Sequence, residues 1–150
     1  CIYGPNQFGV EDQGWLAWFA IRAFLKKSVT IYGNGKQVRD VLHIDDLSTL
    51  YEHAIEMIDT ARGNAYNIGG GNDNSISLIE YFDTIHQKHN LITKKTHADI
   101  RQGDQKVFIS DNTKVKADLG WYPRVSLASG VPALISWVKS ALSDIKPLYS

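Results

Sequence analysis

The sequence predicts an α/β fold, because short segments with strand character alternate with longer segments of helical periodicity. Residues 30–32 are β-branched and aromatic, which favours a strand, and Asn34-Gly35 then marks a tight turn. Residues 77–80 match a capping box, in which a hydroxyl and a carboxylate close the start of a helix. No linker or repeat interrupts this pattern, so we expect residues 1–150 to form one unit.

The other elements follow from periodicity and from helix and strand stop signals. Predicted helices cover residues 13–27, 46–61, 78–89, 112–119 and 127–142, and further strands cover residues 65–68, 94–100 and 106–110. Asp45 or Asp46 is predicted to cap the second helix, along which apolar residues recur as one stripe. The last helix should become regular near Ser129, since Pro132 fits only the first turn or a kink.

Composition excludes several classes of function. Lys plus Arg equals Asp plus Glu, at 16 each, which removes a broad electrostatic reason to bind nucleic acid or an anionic membrane. Cys1 is the only cysteine and fits a reducing, cytoplasmic compartment, and no apolar run reaches membrane-spanning length. His86 and His89 share a helical face, but without a third ligand nearby we predict no metal site.

Two glycine-containing segments raise the question of phosphate binding. The run 69–71 lacks both a Gly-Lys-Ser/Thr ending and a dinucleotide fingerprint, so a plain turn is predicted. Arg39 follows the turn at Asn34-Gly35, and from this stretch alone it pairs with Asp40 on the surface or holds a phosphate. His43 lies in an apolar stretch and is predicted to be a core histidine.

An ordered set of motifs then bears on Arg39. They are Tyr3-Gly4-Pro5, Tyr32-Gly33-Asn34-Gly35-Lys36-Gln37-Val38-Arg39-Asp40, Tyr66-Asn67-Ile68-Gly69-Gly70, Arg101-Gln102-Gly103-Asp104 and Asp118-Leu119-Gly120-Trp121. In this order the motifs resemble the C-terminal part of the extended short-chain dehydrogenase/reductase family, the NAD-dependent epimerases and dehydratases of nucleotide sugars. The resemblance implies the substrate-binding lobe, with the last strands and helices, of an NAD(P)-binding Rossmann-type enzyme.

The resemblance also implies a division of labour between this chain and residues outside it. The chain begins without Met on a strand-like segment, which suggests a fragment whose N-terminal Rossmann half is missing. In the family that half carries the glycine-rich loop for NAD and the Tyr-x-x-x-Lys pair, so no catalytic residue is expected here. NAD would be held mainly by that half, with Ile2 and Tyr3 approaching it through backbone contacts. The full-length enzyme is expected to be a homo-oligomer.

The family motifs assign roles to substrate-binding residues at matching positions. Arg39 and Arg101 match the arginines that hold the pyrophosphate, and Asp104 matches the carboxylate that accepts from the ribose hydroxyls. Thr30 and Tyr32 match the strand whose backbone reads the base. From the residues alone, Arg101 and Asp104 could instead be a simple turn pair, and Tyr32 could be a core aromatic.

The remaining assignments concern the sugar and the phosphates. Phe108 matches a position near the sugar, although it could also be a core aromatic. Trp18 and Phe19 match the helix segment that lines the phosphates. Gln37 either reaches the ligand or caps the turn.

Within the family, the chain most resembles the members that invert C2 of a CDP-linked sugar. The residues that carry this resemblance are Gln7-Phe8, Asp12-Gln13-Gly14-Trp15, Trp18-Phe19 and Asp104-Gln105-Lys106-Val107-Phe108. A CDP-sugar is therefore the expected partner. The alternatives are a nucleotide-sugar dehydratase, another sugar epimerase of the same family, or a non-catalytic module that binds nucleotide sugars.

Overall fold

The computed structural model describes residues 1–149, which form a mixed α/β fold. The strands are β1 (Ile2–Tyr3), β2 (Val29–Tyr32), β3 (Val38–Asp40), β4 (Leu42–His43), β5 (Ser75–Ser77), β6 (Lys95–Ala98) and β7 (Val107–Phe108). The α-helices are α1 (Trp15–Phe24), α2 (Ile44–Glu56), α3 (Ile58–Ala61), α4 (Leu78–His89), α5 (Thr113–Leu119), α6 (Leu127–Ser140) and α7 (Leu142–Ile145). Short 3-10 turns cover Asn72–Asn74 and Lys146–Tyr149.

Strand pairing is mostly parallel and places distant segments side by side. β1 pairs with β4, and β2 pairs with β6, both in parallel. β3 lies between β5, which is antiparallel to it, and β7, which is parallel. Parallel strands end at the same edge of a sheet, so the loop that follows β6 emerges beside Tyr32, the last residue of β2.

The main apolar core forms where α1, α4 and α6 pack together with β1 and β2. Ala17, Ala20 and Ile21 of α1 are fully buried, as the apolar circumference of this helix predicts. A separate cluster joins α2 to α5 and is closed by Trp121. Trp121 donates its Nε1–H to the carbonyl of Asp46 at 2.9 Å.

The predicted start of α2 is wrong. His43, not Asp45 or Asp46, is the N-cap, and its Nδ1 accepts from the backbone N–H of Asp45 at 3.3 Å. The Asp46 carboxylate instead accepts from the backbone N–H groups of Arg124 and Val125 at 2.9 and 3.0 Å. The prediction failed because the Asp46 carboxylate takes part in a tertiary contact that the local sequence does not reveal.

Other boundaries also differ from the predictions. The second helix ends at Glu56, and α3 is a separate short turn. Of the apolar residues predicted to form one stripe along the second helix, only Leu47 and Leu50 are buried. Tyr51 is 61% exposed and Ile55 is 73% exposed. Residues 65–68 lie outside the assigned strands, α1 is shorter than predicted, and β6 and β7 cover only part of their predicted ranges.

α6 begins at Leu127 rather than near Ser129, with Pro132 as its sixth residue. Proline lacks an N–H, so the carbonyl of Ala128 loses its helical partner. The N-terminal half of α6 nevertheless packs closely, since a Cβ at Gly130 would lie 2.1 Å from the Tyr3 hydroxyl. Packing against β1 therefore outweighs the local signal from the proline.

The glycine run 69–71 is a close crossing of chain segments rather than a plain turn. A Cβ at Gly70 would lie 2.1 Å from the Val41 carbonyl oxygen. Gly71 N–H donates to the buried Asp40 Oδ2 at 3.1 Å, and Ser110 N–H donates to the same oxygen at 3.0 Å. Glycine is needed here for close backbone packing.

Candidate functional site

A cavity of about 360 Å³ opens between α1, β2, β3 and the loop that follows β6. It is lined by Glu11, Asp12, Gln13, Gly14, Trp15, Phe19, Thr30, Ile31, Tyr32, Gln37, Arg39, Leu78, Arg101, Gln102, Gly103 and Asp104. The lining includes seven of the nine residues that were predicted to bind substrate. Their roles as ligands stay predictions.

Arg39 lines the cavity and is held in place by three hydrogen bonds. Its Nη2 donates to Asp104 Oδ1 at 2.5 Å, and its Nη1 donates to the carbonyls of Val38 and Gln105 at 2.8 and 2.7 Å. The side chains of Arg39 and Asp104 are only 18% and 21% exposed. Arg39 does not pair with Asp40, because successive residues of β3 point to opposite faces.

Gln37 completes this network. Its Nε2 donates to the Tyr32 carbonyl at 3.0 Å and to Asp104 Oδ2 at 3.4 Å. Asp104 therefore accepts from both Gln37 and Arg39, which holds the 101–104 turn against β3. The arrangement links the strand predicted to read the base with the carboxylate predicted to bind the ribose.

Arg101 also lines the cavity. Its guanidinium carbon lies 3.8 Å from the centroid of the Tyr32 ring, and its Nη2 lies 2.9 Å from Asp12 Oδ1. The pKa of Arg101 is raised above its ordinary value, first by its contact with the Tyr32 side chain and also by the negative charge of Asp12. The backbone N–H of Asp104 donates to the Arg101 carbonyl at 3.1 Å, so the two residues form a turn, but the Arg101 side chain pairs with Asp12 and not with Asp104.

The two arginines therefore line one cavity although they are far apart in sequence. A guanidinium offers paired N–H donors in a plane, which matches the geometry of phosphate oxygens. The Arg101 side chain is 40% exposed and the Arg39 side chain 18% exposed, and each is paired with one carboxylate. Two guanidinium groups that line one cavity can together hold an extended anion such as a diphosphate.

Two predicted substrate residues lie outside the cavity lining. Trp18 packs against the ring of Tyr149, with ring centroids 5.9 Å apart, and stacks on the Arg22 guanidinium. Phe108 pairs with Arg39 in the β3–β7 register and is 44% exposed. Glu11 and Asp12 also line the cavity. Neither was assigned a binding role from the sequence, although Asp12 opens the Asp12-Gln13-Gly14-Trp15 motif and could have been singled out by it.

The residues predicted to approach NAD lie on β1, away from the cavity lining. The Tyr3 ring packs edge-on against His43, and burial raises the pKa of Tyr3 well above its ordinary value. Ile2 is 44% exposed. Two residues of one short strand do not by themselves make an NAD site.

Within residues 1–149, no cluster of three His, Cys, Asp or Glu side chains could hold a metal ion. His86 is exposed on α4. In the same part of the chain, no helix combines the length and apolarity needed to cross a membrane.

Known proteins share both the sequence and the fold. Residues 1–69 match the NAD dependent epimerase/dehydratase family. The chain is 42% identical over 144 residues to CDP-paratose 2-epimerase of Salmonella typhi, covering 93% of this chain and 43% of that protein. It is 29% identical over 149 residues to dTDP-glucose 4,6-dehydratase of Escherichia coli, covering 90% of this chain and 39% of that protein.

A solved structure shows the similarity in fold. UDP-glucuronic acid 4-epimerase of Bacillus cereus, in complex with UDP-glucuronic acid and NAD, superimposes with a TM-score of 0.81 at 27% identity. That match covers 93% of this chain and 43% of the epimerase. The chain thus spans less than half the length of these relatives, and over that length it is similar in sequence and fold to members of the NAD dependent epimerase/dehydratase family.

Proposed function

We propose that this chain is the nucleotide-sugar-binding part of an NAD-dependent nucleotide-sugar epimerase, with a CDP-sugar as its ligand. The observation that carries the proposal is the placement of Arg39 and Arg101 in one cavity. Its volume of about 360 Å³ lies within the usual range for small-molecule sites. Asp104 and the Tyr32 backbone stand beside the arginines, where a ribose and a base would follow a diphosphate.

The CDP-sugar assignment rests on similarity rather than on a base-specific contact. The relative at 42% identity is named for CDP-paratose, whereas other relatives are named for dTDP- and UDP-sugars. We propose that the whole protein inverts C2 of CDP-paratose by transient oxidation and re-reduction. Residues 1–149 would contribute binding and orientation, so that remote binding energy aligns the sugar for the reaction.

Calorimetry on the whole protein that carries this chain, with CDP, UDP, GDP and dTDP, tests the binding proposal. CDP should bind best, and Arg101→Gln should weaken CDP binding about 10- to 100-fold, since a charged hydrogen bond contributes roughly 1.5–3 kcal/mol. Cytidine, which lacks phosphates, should bind both forms equally. Failure of all four diphosphates to bind would remove the nucleotide-sugar assignment.

The reaction is tested on the whole protein that carries this chain, with CDP-paratose followed by proton NMR. Inversion at C2 is expected. Binding of CDP without turnover of any CDP-sugar would instead favour the non-catalytic module. Turnover restricted to a dTDP-sugar would favour a dehydratase.

A further inference from the structure

A tight acidic turn contributes to the lining of the cavity. Val10 and Gln13 exchange two backbone hydrogen bonds of 2.8 and 3.1 Å, which leaves Glu11 and Asp12 at the tip. Gly9 and Gly14 flank the turn, and a Cβ at Gly9 would lie 2.5 Å from the backbone of both Gly14 and Trp18. The turn is therefore a locally bonded unit whose base is packed against the start of α1.

Both side chains at the tip reach across the cavity. Asp12 Oδ1 lies 2.9 Å from Arg101 Nη2, and Glu11 Oε1 accepts from the Tyr32 hydroxyl at 2.9 Å. Arg101 also stacks on the Tyr32 ring, so Asp12 and Glu11 each contact one member of the same stacked pair. An anion that is to bind Arg101 must therefore compete with Asp12.

The charges around the cavity show why this competition matters. Within the described residues, its lining carries three carboxylates, on Glu11, Asp12 and Asp104, and two guanidinium groups, on Arg39 and Arg101. Both cations are already paired with a carboxylate. A diphosphate would meet a site with no unpaired positive charge, unless one carboxylate moves away.

The exposed fractions of Asp104 and Asp12 differ widely, and this difference indicates which carboxylate an incoming phosphate would displace. Asp104 is 21% exposed and accepts from both Arg39 and Gln37. The Asp12 side chain is 83% exposed and has the Arg101 contact alone among the ion pairs of residues 1–149. Exposed ion pairs are weak and readily exchanged with solvent, so Asp12 is the partner that an incoming phosphate displaces.

We propose that Asp12 is a built-in competitor for the diphosphate, which neutralises Arg101 in the free protein and releases it to the ligand. This inference rests on the proposed function. It implies that contacts to the base and ribose help a nucleotide to displace Asp12, whereas a small free anion must displace it without that help. Asp12 thereby sets the affinity of the site and favours complete nucleotides.

Calorimetry with CDP and with cytidine, on the whole protein that carries this chain, tests the role of Asp12. Asp12→Asn should bind CDP about two- to fivefold more tightly than the wild-type protein, which corresponds to losing a weak exposed ion pair. Cytidine affinity should not change, since it brings no phosphate. Asp59→Asn is the matched control, because Asp59 is 95% exposed, faces Arg62 at 4.0 Å and does not line the cavity.

A double-mutant cycle separates competition for Arg101 from a general change in charge. In an Arg101→Gln background, Asp12→Asn should change CDP affinity less than about twofold, since the contested cation is absent. An equal gain in both backgrounds overturns the inference, as does unchanged or weaker CDP binding by Asp12→Asn alone. Either result leaves the proposed function standing if the wild-type protein binds CDP, whereas failure of that protein to bind any nucleoside diphosphate removes both.

Discussion

The two arginines of the cavity have the same predicted role but different surroundings. Arg39 donates to one carboxylate and two carbonyls and is mostly buried, so it belongs to the architecture of the site as well as to its charge. Arg101 is more exposed and contacts only side chains that border the cavity. Removing each arginine should therefore have a different effect on stability.

Arg39→Gln should lower the free energy of unfolding by about 1–3 kcal/mol, because Asp104 and the Gln105 carbonyl lose a charged donor in a half-buried place. Arg101→Gln should change it by less than about 0.5 kcal/mol, as surface substitutions usually do. Urea denaturation of both variants measures the contrast. Equal destabilisation would show that the anchoring role assigned to Arg39 is wrong.

At the scale of elements, α4 shows the strongest agreement between sequence and structure. Ser77 Oγ accepts from the Glu80 backbone N–H at 3.3 Å, while Glu80 Oε2 accepts from the Ser77 N–H at 2.8 Å. The predicted capping box is thus confirmed. Hydrogen bonds from Ser77 hold the pKa of Glu80 below its ordinary value of 4.5.

Ser77→Ala should destabilise the chain by about 1 kcal/mol at pH 7, the usual effect of losing an N-cap. A lowered carboxyl pKa stabilises the folded state above the ordinary pKa, and this contribution is lost as pH falls through the folded value. The difference between variant and wild type should therefore shrink as pH falls below about 4.5. Denaturation curves at pH 7 and pH 3.5 measure it.

Ser126→Ala is the matched control for this helix cap. Ser126 precedes α6 as its N-cap but makes no side-chain cap hydrogen bond. Its substitution should cost less than that of Ser77 and should not depend on pH in this range. A pH-independent loss for Ser77→Ala would contradict the role given to Glu80.

At the scale of the whole molecule, Asp46 connects two segments that the sequence keeps far apart. Its backbone carbonyl accepts from Trp121, and its carboxylate accepts from the N–H groups of Arg124 and Val125. The segment that leads into α6 is thereby tied to the first turn of α2. Asp46 is only 3% exposed, so solvent does not replace these partners.

Asp46→Asn should lower the free energy of unfolding by about 1.5–3 kcal/mol. The amide is uncharged, and it offers one acceptor oxygen where the carboxylate offers two. Thermal unfolding measures the loss. The neighbouring Asp45→Asn is the control, because the Asp45 side chain is 75% exposed and should tolerate the change. Similar effects of both substitutions would contradict the tertiary role of Asp46.

The sequence by itself determined the features that depend on neighbouring residues. The α/β alternation, the capping box at Ser77 and the turn at Asn34-Gly35 are local, because their hydrogen bonds and backbone angles involve residues a few positions apart. The motifs also brought Arg39 and Arg101 forward as candidates for one site. Their order along the chain carried that inference, not their spacing.

Only the tertiary structure decided which partners the side chains of Arg39, Arg101 and Asp46 take. Arg39 pairs with Asp104 and not with the adjacent Asp40, and Arg101 contacts Asp12 and Tyr32. The Asp46 carboxylate accepts from a distant loop instead of capping its own helix. The strand expected at residues 65–68 likewise found no pairing partner in a sheet. These pairings depend on which segments meet in the folded chain and on how much water they exclude. A short window of sequence determines neither.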